Sequence, residues 1–266
     1  MSVRVAAFFD LDGTLLPLPS LEQRFFRMLR YRGEIRGENY LFWLRHALKL
    51  VSHGINSVVH GNKMYLRGVQ SLEESGAGKP NDSRAHASGH AGEGRPSMPR
   101  KHNPRWPLPL FFEDGVERMA WHARQEHAIV VVSGGLEPLA HTAARSLEME
   151  LAAHGIVAGI RVCATRLEER HGRWTGRILG EAMFGKAKAR AILTLAREMN
   201  LDLRQSWAYG DGAQDRWMLA SVGNPAAVNP TPKLLRIAWK QGWPVLRTTH
   251  RVQQTQKPLP HAERCA

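Results

Sequence analysis

The sequence predicts an α/β fold: a doubly wound parallel sheet with a helical segment inserted after the first strand. Three observations indicate this. The apolar run from Val3 to Phe9 is bounded by a turn, which is typical of a strand buried on both faces. Similar runs over 127–132 and 207–209 are each followed by a helical pattern, and such alternation favours a parallel sheet. Three short helical patterns stand between the first two strands and predict the inserted segment.

Composition limits the class of protein. The chain has 266 residues, of which 43% are hydrophobic, enough for one large domain or two modest ones. Its two cysteines, Cys163 and Cys265, form no disulfide framework, so we expect a reducing, cytoplasmic location. We expect no signal peptide, because the chain enters a strand at once. The apolar stretch 41–51 contains charged residues and is too short to span a bilayer.

The net charge of +13 and the isoelectric point near 10.4 indicate an anionic partner. A phosphorylated metabolite, an acidic membrane surface and a nucleic acid all fit this charge. The charge is regional: from Arg24 to Arg67 there are nine Lys or Arg residues and two acids, Glu34 and Glu38. Residues 233–257 contain six basic residues and no acid. This uneven distribution favours a functional cause.

Residues 17–70 are predicted to form a small helical subdomain inserted after the first strand. Prolines in 16–19 stop the first strand, and Ser20 with Gln23 forms the pattern of a capping box. The first helix then extends to about Gly33. Two further helices are predicted from about Glu38 to Gly54 and from about Ser57 to Gly68.

The segment 71–108 differs from the rest of the chain, because it is rich in Gly, Ser, His, Pro and Arg and nearly lacks Val, Ile and Phe. Such a composition buries too little apolar surface to offset the entropy lost on ordering, so we expect a disordered insertion. Residues 251–266 are expected to be a flexible tail. The predicted α/β core is therefore 1–16 and 109–250, a Rossmann-like unit.

The second half of the chain predicts alternating elements up to residue 250. Helices are expected over 113–125, 137–154, 186–199 and 213–219, and further strands over 226–229 and 244–246. A strand or strand pair is expected over 157–167, and His171-Gly172 indicates a hairpin turn that leads into a strand over 174–178.

Polar side chains follow three of the predicted strands. Asp10 and Asp12 follow the first, Ser133 ends the second, and Asp211 follows the third, with Asp215 four residues later. The carboxyl ends of parallel strands meet at one edge of a sheet, so we expect these groups to converge. Because clustered carboxylates repel unless a cation relieves them, we expect a hard cation with oxygen ligands, most plausibly Mg²⁺.

The same edge has groups that suit a phosphate. Gly134 and Gly135 allow backbone N–H groups at a predicted helix start to approach an anion. Lys186 and Lys188, on the helix before the third strand, supply candidate positive charges.

Four motifs in order give the chain a close resemblance to the haloacid dehalogenase superfamily of aspartate-nucleophile phosphatases. They are Phe9-Asp10-Leu11-Asp12-Gly13-Thr14, Val132-Ser133-Gly134-Gly135, Gly185-Lys186-Ala187-Lys188 and Gly210-Asp211-Gly212-Ala213-Gln214-Asp215. The resemblance covers nearly the whole chain apart from the insertion and the tail. The helical segment after the first motif is similar to the cap of subclass IB, the phosphoserine-phosphatase-like branch.

The resemblance implies a Mg²⁺-dependent phosphomonoesterase. Asp10 would attack phosphorus and form an aspartyl-phosphate, and Asp12 would act as general acid and then general base. The metal would be held by Asp10, by the backbone carbonyl of Asp12 and by Asp211.

The resemblance also implies a phosphate-binding set. Ser133, Gly134 and a lysine would hold the transferring oxygens, and Asp215 would support the metal or the lysine from behind. The spacing from Gly185 favours Lys188 as this lysine, with Lys186 as the alternative.

The chain departs from phosphoserine phosphatases in the cap. The acid that reads the amino group of phosphoserine would fall near Pro19, and Glu22 is the nearest acid. The substrate is therefore expected to be a small anionic phosphorylated metabolite or a lipid-like phosphate, with peripheral membrane contact as an option. A basic set of cap residues fits such a substrate: Arg24, Arg27, Arg45 and Lys49.

Alternative functions are phosphoserine hydrolysis proper and a non-catalytic phosphate-binding role on the same fold. A nucleic-acid partner is not expected, because a recognition motif is missing from the sequence. Aromatic cap residues are expected in the core more than in a substrate pocket: Phe42, Trp43 and Tyr65.

Overall fold

A parallel sheet forms the centre of the molecule. The computed structural model describes residues 4–53, 58, 61–72 and 110–248. Its strands are β1 (Ala6–Phe9), β2 (Ala128–Leu136), β3 (Ile160–Thr165), β4 (Leu167–Arg170), β5 (Arg173–Ile178), β6 (Trp207–Gly210), β7 (Asn224–Val228) and β8 (Val245–Leu246). Six of them form one sheet in the order β3-β2-β1-β6-β7-β8, with every neighbouring pair parallel. The predicted doubly wound α/β fold is confirmed.

Helices cover both faces of this sheet. Those with described bounds are α1 (Leu21–Tyr31), α2 (Gly37–Leu50), α3 (Glu113–Arg124), α4 (Glu137–Ala153), α5 (Lys186–Met199), α6 (Arg216–Leu219) and α7 (Pro232–Gln241). Alternate side chains of β1 enter two cores. Phe9 packs in the core shared with α3 and α4, while Phe8 packs in the core shared with α5, α6 and α7.

The predicted capping box at the start of α1 is confirmed. The Ser20 hydroxyl accepts the Gln23 N–H at 3.2 Å, and the Gln23 side-chain oxygen accepts the Ser20 N–H at 3.2 Å. Helix α2 ends at Leu50, and a 3-10 turn over Val51–His53 follows it.

The third predicted helix, Ser57–Gly68, is only partly described. Val58 and Gly61 are helical, but after Gly61 the structure has a 3-10 turn, Met64–Leu66, so a continuous helix to Gly68 was wrong. The reason is a competing set of bonds. The Asn39 side chain of α2 donates to the carbonyl oxygens of Tyr65 (3.1 Å) and Arg67 (2.7 Å), which holds this backbone outside a helix.

The hairpin predicted at His171-Gly172 is confirmed as β4 and β5, with positive φ at both turn residues. It also ties down the end of the cap segment (residues 17–70). Gly68 donates its N–H to the Trp174 carbonyl at 2.8 Å, and Trp174 donates back to Val69 at 2.9 Å. The cap segment is thus attached by backbone bonds to a hairpin that follows β3.

One predicted strand end and one predicted helix start need correction. Strand β2 continues past residue 132 to Leu136, so Gly134 and Gly135 lie in the strand and not at a helix start, while α4 begins at Glu137 as predicted. The glycines permit a register shift against β3 between Ser133 and Leu136. Helix α6 begins at Arg216 and not at Ala213, because a turn occupies the preceding residues.

Residues 73–108 of the predicted insertion and the predicted tail, 251–266, lie outside the described residues. None of the helices within the described ranges has the length and apolar character needed to cross a bilayer.

A buried aromatic and histidine layer supports β1 and β6 from the side of α3. The ring of Tyr209 stacks on Phe9 at 4.7 Å, and its hydroxyl lies 2.8 Å from Nε2 of His122. Nδ1 of His122 lies 2.9 Å from Nδ1 of His127. Burial, with a smaller contribution from His127, lowers the pKa of His122 to about 3. The imidazole is therefore neutral in the folded protein at ordinary pH.

His122 is expected to make stability pH-dependent. Its folded pKa lies below the ordinary value of 6.5, so the unfolded chain binds the extra proton and stability falls as pH drops below about 6.5. In urea unfolding at a series of pH values, the difference in unfolding free energy between wild type and His122→Gln should shrink towards acid pH. The exposed His154→Gln serves as control. Parallel curves for wild type and His122→Gln would contradict this assignment.

Candidate active site

The candidate site lies where the winding of the sheet reverses. β1 has β2 on one side and β6 on the other, so this is the switch point at which open α/β sheets form a crevice. Asp10 directly follows β1, and Asp211 directly follows β6. The Asp10 N–H donates to the Tyr209 carbonyl at 2.9 Å. This bond continues the pairing of β1 with β6 and keeps Asp10 beside the end of β6.

Three carboxylates and one ammonium group meet there. One carboxylate oxygen from each of Asp10, Asp211 and Asp215 lies within 4.8 Å of the others. Lys188, from the first turn of α5, places its Nζ against Asp10 and 2.6 Å from Oδ1 of Asp215. Asp10, Asp215 and Lys188 are each no more than 6% exposed. The structure therefore brings predicted groups from β1, α5 and the β6–α6 turn into one buried cluster.

Burial and crowding shift the proton affinities of this cluster. Burial raises the pKa of Asp10 well above its ordinary value, although Lys188 acts in the opposite direction. Burial, followed by the charge of Asp215, raises the pKa of Asp211 to about 7. Burial alone would lower the pKa of Lys188, but the Asp10 and Asp215 carboxylates outweigh it and raise that pKa. A single lysine leaves the carboxylates with excess negative charge.

Both oxygens of Asp215 are engaged by neighbouring groups. Oδ1 accepts from Lys188 at 2.6 Å, and Oδ2 accepts the Gly212 N–H at 2.8 Å. It thus closes the turn before α6 and positions the lysine. Asp211 and the second oxygen of Asp10 are better placed to serve a cation with oxygen ligands.

Asp12 is held by the first turn of the cap segment. Its Oδ1 accepts the Leu21 N–H at 2.8 Å, so the carboxylate sits at the N-terminus of α1. Burial raises the pKa of Asp12, and the Leu21 N–H works against that rise. This cap contact was not predicted from the sequence, because nothing in the spacing of Asp12 and Ser20 specifies it.

Ser133 lies at the same edge, 1% exposed, with its hydroxyl accepting the Gly135 N–H at 3.1 Å. A Cβ on Gly135 would lie 3.3 Å from that hydroxyl and 3.9 Å from Oδ2 of Asp12. A side chain at this position would therefore crowd the Ser133 hydroxyl and approach the Asp12 carboxylate, and glycine leaves that space open. The carbonyl of Gly134 accepts the Thr165 hydroxyl at 2.9 Å, which fixes this end of β2.

The two candidate lysines have different surroundings. Lys188 is buried in the cluster, whereas Lys186 is exposed, with its Nζ 5.1 Å from the centre of the Trp217 ring. The arrangement at the carboxylates favours Lys188.

The cap segment contributes a buried ion pair that the sequence did not indicate. Lys63, 3% exposed, contacts the carboxylate of Glu22, which also accepts the Tyr65 hydroxyl at 2.5 Å. Burial, followed by the charge of Glu22, raises the pKa of Tyr65 well above its ordinary value. Tyr65 also packs edge to face on Phe26, so it belongs to the core, as expected. Lys63 could not be singled out because it is 41 residues from Glu22.

The basic cap residues named from the sequence have different surroundings. Arg24 donates to the carbonyl oxygens of Pro17 and Pro19 (2.5 and 2.8 Å) and so braces the start of α1. Arg27, Arg45 and Lys49 are exposed.

A cavity of about 490 Å³ lies beside the site but does not include its carboxylates. It is bounded by α3, the ends of β6 to β8 and the chain just after the first motif, through Thr14 and Leu15. Its lining combines aromatic residues, among them Trp121, Trp207 and Tyr209, with charged ones, among them Glu117 and Arg118.

Comparison with known proteins decides the family. The family model of haloacid dehalogenase-like hydrolases matches residues 7–220, most of the chain. The chain belongs to this family. The predicted membership of the haloacid dehalogenase superfamily is confirmed, and with it the family's class, haloacid dehalogenase-like hydrolases.

Curated relatives share part of the chain. A probable phosphatase of Mycobacterium tuberculosis is 33% identical over 155 residues, which is 58% of this chain and 50% of the relative. The inhibition of morphological differentiation protein of Streptomyces azureus is 32% identical over 157 residues, 57% of this chain and 51% of the relative. The chain thus spans about half the length of these relatives.

Solved structures share the fold. A protein of unknown function from Bordetella pertussis Tohama I has a TM-score of 0.59 and 22% identity, covering 92% of this chain and 99% of that one. A phosphoserine phosphatase, solved as a phospho-aspartyl intermediate analogue, has a TM-score of 0.54 and 17% identity, covering 92% and 94%. At these identities the likeness concerns the fold alone.

Gly13 is a position beside the carboxylate cluster where the fold leaves no room for a side chain. Its φ is +91°, and a Cβ would lie 2.4 Å from Oδ2 of Asp211. Any other residue at this position therefore combines backbone strain with a collision against the candidate metal ligand.

Gly13→Ala should destabilise the protein more than Gly33→Ala does. Gly33 also has positive φ (+69°), but a Cβ there would meet nothing within 4 Å, so it isolates the strain, roughly 1–2 kcal/mol. The extra loss of unfolding free energy in Gly13→Ala, relative to Gly33→Ala, should be smaller when Asp211 is also replaced by Ala. Urea unfolding of the double-mutant cycle measures this difference. Equal losses for the two alanine variants would show that Asp211 is not crowded against Gly13.

Proposed function

We propose that the chain is a Mg²⁺-dependent phosphomonoesterase that acts through an aspartyl-phosphate at Asp10. The observation that carries this proposal is the buried cluster of Asp10, Asp211 and Asp215 around Lys188 at the switch point of the sheet. Family membership supports a hydrolase. A relative named as a probable phosphatase supports phosphate as the group transferred.

Asp10 is proposed as the nucleophile. Its Oδ1 is bound by Lys188, which leaves its other oxygen for attack or for a cation. Attack forms an Asp10–phosphorus bond and breaks the bond from phosphorus to the leaving oxygen. Ser133, the Gly134 backbone and Lys188 are proposed to hold the phosphoryl oxygens, since they lie at the same edge.

Asp12 is proposed as the general acid and base. Because its Oδ1 already accepts the Leu21 N–H, the proton is expected on Oδ2, the oxygen near Gly135. Burial favours this protonated form by raising the pKa of Asp12. Oδ2 would give its proton to the leaving oxygen and later accept one from the water that hydrolyses the aspartyl-phosphate.

The residues fit a hard divalent cation. Asp10, Asp211 and the backbone carbonyl of Asp12 would hold it, with Asp215 positioning Lys188 behind them. When bound, the cation would offset the repulsion between the carboxylates and the incoming phosphate.

The cap segment favours a substrate without an ammonium group. Glu22 is the acid nearest to the position that reads the amino group in phosphoserine phosphatases. Here its charge is paired with Lys63, and it also accepts a hydrogen bond from the Tyr65 hydroxyl. A small phosphorylated metabolite or a lipid-like phosphate is therefore proposed over phosphoserine. The non-catalytic alternative is disfavoured because both Asp10 and Asp12 are present.

Asp10→Asn is the first test of this function. Hydrolysis of p-nitrophenyl phosphate with Mg²⁺ should fall by at least about 1000-fold, because the amide cannot form the covalent intermediate. The thermal unfolding profile serves as a control for folding. Turnover close to that of wild type would remove Asp10 from the proposed role.

Leu21→Pro tests the hydrogen bond from the cap segment to Asp12. Leu21 is the first residue of α1, where proline is tolerated, and Ser20 has the extended conformation (ψ 157°) that proline requires before it. Proline deletes only the N–H donor and part of the side chain, and Leu21→Ala controls for the lost packing.

With the donor gone, the Asp12 carboxyl loses its fixed orientation. Hydrolysis of an alkyl phosphate, whose leaving oxygen needs a proton, should fall roughly tenfold further than that of p-nitrophenyl phosphate, whose leaving group needs none. Leu21→Ala should lower both rates equally. If Leu21→Ala and Leu21→Pro show the same difference in rate between the two substrates, the Leu21 N–H has no role in orienting Asp12.

A further inference from the structure

The solvent face of cap helix α2 is apolar. Leu41, Leu44, Leu48 and Val51 recur at helical spacing along one side of α2 and the turn that follows it. We call these four residues the apolar stripe. Each is between 52% and 69% exposed, so the stripe forms the outer surface where a surface helix normally has polar residues.

The orientation of the helix is fixed by contacts on its opposite side. Asn39 and Ala47 are buried there. The Asn39 side chain donates to the carbonyl oxygens of Tyr65 and Arg67, and the Trp43 carbonyl accepts the Asn62 side chain at 2.8 Å. A rotation that buried the apolar stripe would break these bonds. The stripe is therefore available for a partner outside the core.

Basic side chains border the stripe. Arg45 and Lys49 are exposed and lie one turn apart along its edge. Neither is in an ion pair with any residue in the described ranges. Glu38, the acid in α2, lies in the first turn and is 3.9 Å from Arg36. The surface thus combines exposed leucines with positive charge.

The positive charge along the edge of the apolar stripe indicates the kind of partner that the stripe binds. In a two-fold contact between copies of this chain, the basic edge of one stripe would face the same edge of the other, which opposes association. The chain's own segment 73–109 is also unsuited: it has six basic and four acidic residues and lacks Val, Ile and Phe. The surface of an anionic membrane fits both the apolar stripe and its basic edge. The leucines can enter the acyl region, while Arg45 and Lys49 can contact the lipid phosphates.

We propose that α2 docks the protein on anionic phospholipid membranes, with the apolar stripe inserted in the interface and Arg45 and Lys49 against the headgroups. The helix lies on the membrane and does not span it. This surface is separate from the carboxylate cluster, so the proposal stands independently of the catalytic function.

The test is vesicle binding of the full chain. Phosphatidylcholine vesicles with about one-third phosphatidylglycerol should bind it, and pure phosphatidylcholine vesicles should not. Leu44→Gln/Leu48→Gln should weaken binding at least about tenfold, since each inserted leucine contributes apolar transfer energy. Arg45→Gln/Lys49→Gln should weaken it by roughly 25-fold, about fivefold for each basic residue.

Matched controls separate this surface from the overall charge. Leu193→Gln/Met149→Gln removes exposed apolar side chains from α5 and α4, and Lys233→Gln/Lys240→Gln removes two exposed charges from α7. Both controls should bind as wild type does, and p-nitrophenyl phosphate turnover and thermal unfolding report that all variants are folded.

Three results would overturn the proposal. They are no binding to anionic vesicles, equal loss in the control variants, and binding unaffected by the stripe substitutions. A dimer detected by light scattering that the Leu44→Gln/Leu48→Gln variant dissociates would assign the stripe to a second copy.

Discussion

The ammonium group of Lys188 is the contact on which the rest of the site depends. It lies between Asp10 and Asp215 and is the positive charge buried among the clustered carboxylates. Like charges at this distance would otherwise repel strongly in a buried environment. The lysine can reach them because α5 begins directly after Gly185, whose positive φ (59°) turns the chain into the helix beside β6. One ion pair thus links β1, α5 and the turn before α6.

This balance is incomplete, because one lysine faces three carboxylates, and the proposed function depends on that excess negative charge. Asp215 gives both oxygens to its own neighbours, while Asp211 has a pKa raised to about 7 by burial and by Asp215. A divalent cation would relieve this excess and a phosphate would meet the lysine from the other side. Asp12 is set apart from the cluster by its bond to the cap segment, so the two carboxylates of the first motif have different surroundings.

Much of the fold followed from the sequence because its signals are local. The runs around Phe8, Val131 and Ala208, the Ser20 capping box and the His171-Gly172 turn each specify their element without help from distant residues. Polar residues at strand ends then indicated one crevice, because parallel strands end together.

What the sequence did not predict depends on contacts between distant segments. Asn39 prevents a helix at Tyr65, the Leu21 N–H reaches Asp12, and Lys63 neutralises Glu22. The extension of β2 through Gly135 depends on pairing with β3, which periodicity in β2 alone does not encode. The helix that contains the exposed leucines of α2 was predicted, but their exposure was not, because periodicity defines a helix face and not what covers it.

The central claim is that Asp10 carries the phosphoryl group during turnover. Rapid acid quench of the enzyme with a phosphate-labelled substrate, followed by peptide mapping, tests this directly. We expect acid-stable label on the peptide that contains Asp10, absent from Asp10→Asn and dependent on added Mg²⁺. Turnover by direct water attack, with no label on any aspartate during steady-state hydrolysis, would contradict it.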